Sequence, residues 1–219
     1  MDHTGVNAAP ARADAWPLGG RALYFPAKRA ADAAVALAGL IVSLPVWAVI
    51  AAAIWLEDRG PVFFHKECVG RGGILFRQLK FRSMVPEAER TTGPVLSWEG
   101  DPRITRVGRA LRKTALDELP QLLNILKGEM SFVGPRPQRA VLVRGYLQEI
   151  PDYALRHLVR PGLTGLAQVR GRYHTPPRKK LRYDLLYVRR CSVPLDLRLF
   201  ATSFLVTLKG RWDSRARKR

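Results

Sequence analysis

The chain is 219 residues long, enough for one domain of ordinary size with appendages. Its 37 Lys and Arg against 18 Asp and Glu leave a net charge of +19, which calls for an anionic partner: nucleic acid, a phosphorylated substrate or an anionic membrane. Its two cysteines, Cys68 and Cys191, are too few and too far apart for a disulfide framework or a zinc site, so two free cytoplasmic thiols are expected, with a lone disulfide as the alternative.

Residues 1–20 are rich in Ala, Gly and Pro, weakly periodic, and read as a disordered N-terminus. They lack the basic, apolar and cleavage regions of a signal peptide. Residues 21–58 read as a membrane-inserted helix. Within them Ala33–Leu56 is 24 residues without a charge and apolar all round, which is membrane-segment length. Ser43 and Pro45 sit near its middle, where a proline breaks the hydrogen-bond ladder. Both flanks are basic: four basic residues lie in 1–29, and 33 in 57–219 against 15 acids. Because basic flanks favour the cytoplasmic side, a re-entrant hairpin broken at Ser43 and Pro45 is expected, with a straight span as the alternative. Lys28-Arg29-x-x-Asp32 stands at the membrane edge, with Asp32 expected to pair with a basic residue.

Residues 59–208 read as a single catalytic domain. Gly60-Pro61 turns into a short strand at Val62–Phe64, Ile74–Phe81 is a second strand, and Gly70–Gly73 is a turn between them. As a phosphate-cradling loop the Gly70–Gly73 run lacks the Gly-Lys-Ser/Thr that would follow, so a hairpin turn is the better reading. Lys80-Phe81-Arg82-Ser83-Met84 follows, then a polar loop over 86–102, then Asp101-Pro102-Arg103-Ile104-Thr105 and Val107-Gly108-Arg109.

Ala115–Pro137 is the stretch around which the rest is organised. Asp117 and Glu118 stand together before Pro120, which suits a first helical turn. Leu119, Leu122, Leu123 and Leu126 recur at helical spacing, and Gly128 follows Lys127 where a helix would end. The pattern predicts a short amphipathic helix with the acids at its positive dipole end. An acidic pair there is ordinarily a cap. Arg112 before it and Arg136 in the stiff Gly134-Pro135-Arg136-Pro137 turn bring cations to the same spot, an arrangement that also suits phosphate.

Gln138–Gln148 is a second short helix, broken at Ile150-Pro151. Arg160–Val169, RPGLTGLAQV, has Gly162 and Gly165 for tight backbone turns. Arg178–Arg182, four basic residues in five, reads as a solvated basic loop or as a contact for lipid headgroups or diphosphate. Leu195–Leu208 suits an interfacial amphipathic helix better than a span. Residues 209–219 form a basic C-terminal tail with six basic residues and one acid, expected to lie on anionic lipid.

The Asp117-Glu118-Leu119-Pro120-Gln121 run resembles the catalytic motif of the bacterial sugar transferases, the monotopic phosphoglycosyl transferases. The opening Lys28-Arg29-x-x-Asp32, the Lys80–Met84 run and RPGLTGLAQV are similar to that family too, and the resemblance extends from about Lys28 to about Asp196. Cys68 departs from a frequent Arg, Ala115 from a frequent Ser, and only Pro45 matches the family's Ser-Pro break firmly. The larger members carry an additional multi-span N-terminal region, so the chain looks like the minimal catalytic form.

The resemblance implies transfer of a sugar 1-phosphate from a UDP-sugar to polyprenyl (undecaprenyl) phosphate through a phosphosugar-Asp117 intermediate, with UMP released, as a first membrane step of exopolysaccharide or O-antigen synthesis. Asp117 and Glu118 would be catalytic, with the role of Glu118 open between metal and proton handling. Arg112, Arg136, Lys80 and Arg82 would bind phosphate, and Mg²⁺ at Asp117 would neutralise charge. The expected fold is α+β, mainly α, with the re-entrant helix, interfacial helices and a small β-hairpin, at the cytoplasmic face of the bacterial inner membrane. Anionic lipids are expected partners, and a homodimer stays open. A nucleic-acid-binding protein would interleave aromatics with Arg on a surface, and no such stripe is present. A non-catalytic membrane scaffold explains the anchor but not Arg112, Asp117, Glu118 and Arg136 together.

Overall fold

A computed structural model describes residues 23–90, 93, 95, 97, 98, 100–171 and 175–208. The expectations for residues 1–20 and for the tail at 209–219 lie outside them. The described residues form a mostly helical α+β structure with one long apolar helix and two small two-stranded sheets.

Helix α1 spans Tyr24–Asp58, 35 residues, and among the described residues it alone is long and apolar enough to cross a membrane. The helix runs through Pro45 without interruption. Ser43 donates to the Leu40 carbonyl and accepts from the Trp47 indole N–H. One side of α1 lies on the domain along most of its length. Ala36, Ile50 and Ile54 are buried, and Gly39 faces Leu122. The other side leaves Ile41, Val42, Leu44 and Val49 more than half exposed. A water-soluble helix would not present such a stripe.

Strands β1 (Phe63–Val69) and β2 (Leu75–Phe81) form the expected antiparallel hairpin, Phe64 opposite Lys80 and Lys66 opposite Gln78. Gly72 takes a left-handed φ of 67° in the turn. Helix α2 (Arg106–Thr114) was not foreseen. Thr105 caps it by accepting from Gly108 N–H, and Glu57 of α1 accepts from the N–H groups of Arg106 and Val107.

Helix α3 is Gln121–Lys127, closed by Gly128 at φ 83°, as its terminal glycine predicts. Its start differs from expectation. Leu116–Glu118 forms a separate 3-10 turn and Pro120 is the cap rather than the first helical residue. The acids therefore precede the helix. Ala115 holds a left-handed φ of 57° and turns the chain sharply between α2 and that 3-10 turn, a conformation costly for a residue with a Cβ. Nor is α3 amphipathic: Gln121 and Asn124 are as buried as Leu122 and Ile125, because α3 is enclosed between α1 and β2. The buried amides bond across that boundary, except that Gln121 Nε2 has no partner among the described residues. Gln78 donates to Gln121 at 2.7 Å, and Asn124 accepts from Leu79 N–H and donates to the Arg77 carbonyl.

Two three-residue strands, β3 (Ser131–Val133) and β4 (Gly162–Thr164), pair in parallel. They were unforeseen because three residues carry no periodicity. Helix α4 (Ala140–Glu149) ends as expected before Pro151, which opens a 3-10 stretch to Leu158. Helices α5 (Leu166–Arg170), α6 (Pro177–Arg190) and α7 (Val193–Leu208) complete the described residues. Arg178–Arg182 thus lies in the first turns of α6 and not in a loop. Its apolar partners Leu181, Tyr187 and Val188 are buried against the core and order the segment. Helix α7 buries Leu199 and exposes Val193, Leu197, Phe200 and Phe204, a stripe at helical spacing. Both cysteines are buried, and neither is in a disulfide.

The Gly134–Pro137 turn is held against β4 at close quarters. A Cβ on Gly162 would lie 2.0 Å from Gly134 N, and one on Gly165 2.1 Å from Gly134 O. Gly162→Ala is expected to lower stability by about 3 kcal/mol or more, since only backbone movement could relieve the clash. A denaturation curve with an unchanged midpoint would show that the turn yields.

Candidate active site

Alternation along β2 places Phe76, Gln78 and Lys80 on one face, against the 3-10 turn and α3. The Lys80 ammonium there meets both acids, 2.6 Å from Glu118 Oε1 and 3.2 Å from Asp117 Oδ2. Arg136 reaches the same Glu118 oxygen at 2.7 Å from the other side. Both carboxylates are buried, Asp117 at 6% and Glu118 at 8% exposure, so these cations act with little screening.

The two acids are not equivalent. Burial alone would raise the Glu118 carboxyl, but Arg136 and Lys80 outweigh it and hold that group far below the usual carboxylate range. Lys80, pushed down by burial, is raised on balance by Asp117 and Glu118. Glu118 is thus locked between two cations. Asp117 has its single contact through Oδ2, and Oδ1 has no partner among the described residues.

Arg136 owes its place to a buried frame. Arg156 donates to the Arg136 carbonyl at 2.7 Å and pairs with Asp184 at 2.8 Å. Arg156 and Asp184 are 3% and 2% exposed. Gly162 N–H donates to the Pro135 carbonyl and Gly134 N–H to Thr164. The Gly-Pro-Arg-Pro turn is therefore tied to β4 and, through Arg156, to α6.

Lys80, Asp117, Glu118 and Arg136 are brought together. Arg112 makes no ion pair with either acid and donates instead to Ser83 Oγ at 2.9 Å and Ser97 Oγ at 3.1 Å. Arg82 lies apart: its guanidinium is engaged by the Asp58 carboxylate at the end of α1 and by the Pro61 carbonyl. In a continuing strand Arg82 would share the face of Lys80, but β2 ends at Phe81 and the alternation ends with it. Arg82 in this position ties α1 to the hairpin.

Lys66 escaped the sequence reading. It is in register beside Gln78, on the Lys80 face of the hairpin, and makes no ion pair among the described residues. Burial, with Lys80, Arg136 and Arg139 near it, pushes its ammonium down to about 8. Period-2 spacing back from the hairpin turn could have found it.

The arrangement offers a carboxylate with a free oxygen amid cations, which suits attack on an anionic phosphorus centre. Among the described residues no group of three His, Cys, Asp or Glu could enclose a metal. The donor set still fits Mg²⁺, which is commonly held by one or two carboxylates with substrate phosphates and water completing the shell.

The match to known proteins covers the same ground. Residues 23–210 match the family described as bacterial sugar transferase. The chain is 39% identical over 191 residues to a UDP-N-acetylgalactosamine-undecaprenyl-phosphate N-acetylgalactosaminephosphotransferase of Aeromonas hydrophila, covering 86% of the chain and 45% of that protein. It is 42% identical over 199 residues to a UDP-glucose:undecaprenyl-phosphate glucose-1-phosphate transferase of Klebsiella pneumoniae, covering 89% and 42%. It is 41% identical over 193 residues to an exopolysaccharide production protein of Rhizobium leguminosarum bv. phaseoli, covering 84% and 96%. The chain thus spans less than half the length of the first two relatives and nearly all of the third.

Proposed function

The chain belongs to the bacterial sugar transferase family, and on that premise we propose that it transfers a sugar 1-phosphate from a UDP-sugar to undecaprenyl phosphate with Asp117 as nucleophile. The observation that carries the reading is the asymmetry of the acid pair: Glu118 is held by Lys80 and Arg136, while Asp117 keeps Oδ1 free. Asp117 Oδ1 attacks the β-phosphorus of the UDP-sugar, the bond to the bridging oxygen breaks, and UMP departs. An oxygen of the polyprenyl phosphate then attacks the phosphosugar-Asp117 intermediate and releases the carboxylate, leaving polyprenyl-diphospho-sugar. Lys80, Arg136 and Lys66 bind and neutralise the phosphate oxygens, and Glu118 fixes the two cations about the phosphorus. Mg²⁺ held by Asp117 and the diphosphate would lower the repulsion between two anions.

UMP release from a panel of UDP-sugars, with and without polyprenyl phosphate, tests the reaction. One UDP-sugar should give UMP, with multiple turnovers only when the acceptor is present, and excess chelator should stop them. No UMP from any of them would overturn the assignment.

The geometry of α1 supports attachment from one side of the membrane. At one end Lys28 pairs with Asp196 and Arg29 donates to the carbonyls of Ile125 and Leu126; at the other Asp58 pairs with Arg82. These anchors are about 45 Å apart along the helix and belong to one domain, which a crossing helix would divide between two compartments. We read α1 as inserted from the cytoplasmic face, with its exposed stripe in lipid and both ends on one side. Cysteines introduced at Gly60 and Leu23 should both be shielded from an impermeant thiol reagent in intact cells; labelling of one alone would mean a span.

A further inference from the structure

We propose that a pocket at the foot of α1, remote from the acid pair, binds the phosphate headgroup of an anionic membrane lipid that takes no part in the reaction. The pocket's charged and aromatic lining is Tyr24, Phe25, Lys28 and Asp32 of α1, Arg71 of the hairpin turn, Arg160 before β4, and Tyr187 of α6, three cations to one acid.

Its charges are unbalanced. Lys28 is matched by Asp196 at 2.6 Å and Asp32 at 3.9 Å. Neither Arg71 nor Arg160 makes an ion pair among the described residues. Arg160 donates through Nε to the Gly128 carbonyl at 2.8 Å, which leaves its terminal nitrogens for another acceptor. Arg71 lies with its guanidinium 5.8 Å from the Phe25 ring centroid. Burial, then the positive charges of Arg71 and Arg29, act against the Arg160 charge, with Asp32 a smaller opposing influence. Guanidiniums gathered in this way are relieved by one anion, and their planar forks suit phosphate oxygens.

The pocket's place in the fold says which anion. It lies where the two helices with exposed apolar stripes converge, since Tyr24 and Lys28 of α1 both bond Asp196 of α7. Val35 and Leu37 on α1, and Leu197, Phe200 and Phe204 on α7, are all more than 40% exposed just beyond it. Ile74, next to the Arg71 turn, is 70% exposed. A headgroup on Arg71 and Arg160 would sit at the level where the charges of α1 give way to its apolar run, with its chains along apolar surface. Basic pockets of this kind, between helices at the membrane surface, suit anionic lipid headgroups. The reacting acids are at the far end of α3. Arg29 and Arg160 hold its C-terminal carbonyls, about 15 Å along the chain axis from Glu118. A lipid held here is a membrane anchor for the domain, fixing how deep and at what angle it rides.

The site rests on membrane attachment through α1 and not on the reaction, so the two can fail separately. The test uses the full chain purified in a neutral detergent, titrated with short-chain phosphatidylglycerol, short-chain phosphatidylcholine and inorganic phosphate, with lipid retention read by native mass spectrometry and UMP release measured in parallel. Wild type should retain one phosphatidylglycerol in preference to phosphatidylcholine. Arg71→Ala, at an exposed turn, and Arg160→Ala should each weaken that retention about tenfold. Arg109→Ala and Lys113→Ala, which remove the same charge from exposed positions on α2, should leave it unchanged. UMP release in detergent should be unchanged in Arg71→Ala. Retention equal in wild type and Arg71→Ala, equal loss in the α2 variants, or displacement of the lipid by inorganic phosphate at matched concentration would each overturn the proposal.

Discussion

Asp117→Asn is expected to abolish labelling of the protein by a UDP-sugar carrying label in its β-phosphate, and to lower UMP release by about four orders of magnitude or more. The amide is nearly isosteric, so the 3-10 turn and its contact with Lys80 should persist in outline while the attacking oxygen is lost. Glu118→Gln should behave differently. Its side chain holds Lys80 at 2.6 Å and Arg136 at 2.7 Å, and the amide would grip both cations weakly. Turnover should fall about 100- to 1000-fold, with labelled protein still forming. Peptide mapping after a rapid quench distinguishes the acids. Label on Glu118, or rapid transfer with no labelled protein, would sink the Asp117 nucleophile.

Asp184→Ala is expected to cost about 3–5 kcal/mol of stability, because it leaves Arg156 charged and buried with no partner. The pair is not thereby a strong net stabiliser. Burial pushes the Asp184 carboxyl up, and Arg156 opposes that. Replacing both residues by apolar ones of similar size, Arg156→Met with Asp184→Leu, should recover most of the loss. Activity should not recover with it. Arg156 also donates to the Arg136 carbonyl, so the double variant frees the turn that aims Arg136 at Glu118. A double variant stable to denaturant yet slow in UMP release would mark Arg156 as a positioning residue. Full recovery of both would reduce the pair to core packing.

The residues that work locally were legible in the sequence, because local structure follows periodicity and turn chemistry. The uncharged run of α1 announces itself over its 24 residues, and the Gly70–Gly73 hairpin, the glycine that ends α3 and the acid pair beside Leu-Pro-Gln each within a short stretch of sequence. Tertiary structure decided what those residues meet. Lys80 and Arg82 stand two positions apart in one basic run, yet β2 ends between them, so that one joins the acids and the other clamps Asp58. Lys66 falls in with Lys80 only through strand register, and Arg178–Arg182 becomes helix only because Leu181, Tyr187 and Val188 find a core to bury against. Asp117 and Glu118 are neighbours in sequence and alike in chemistry. Cations from β2 and from the turn after β3 converge on one of them, and that difference comes from segments that only long-range packing brings together.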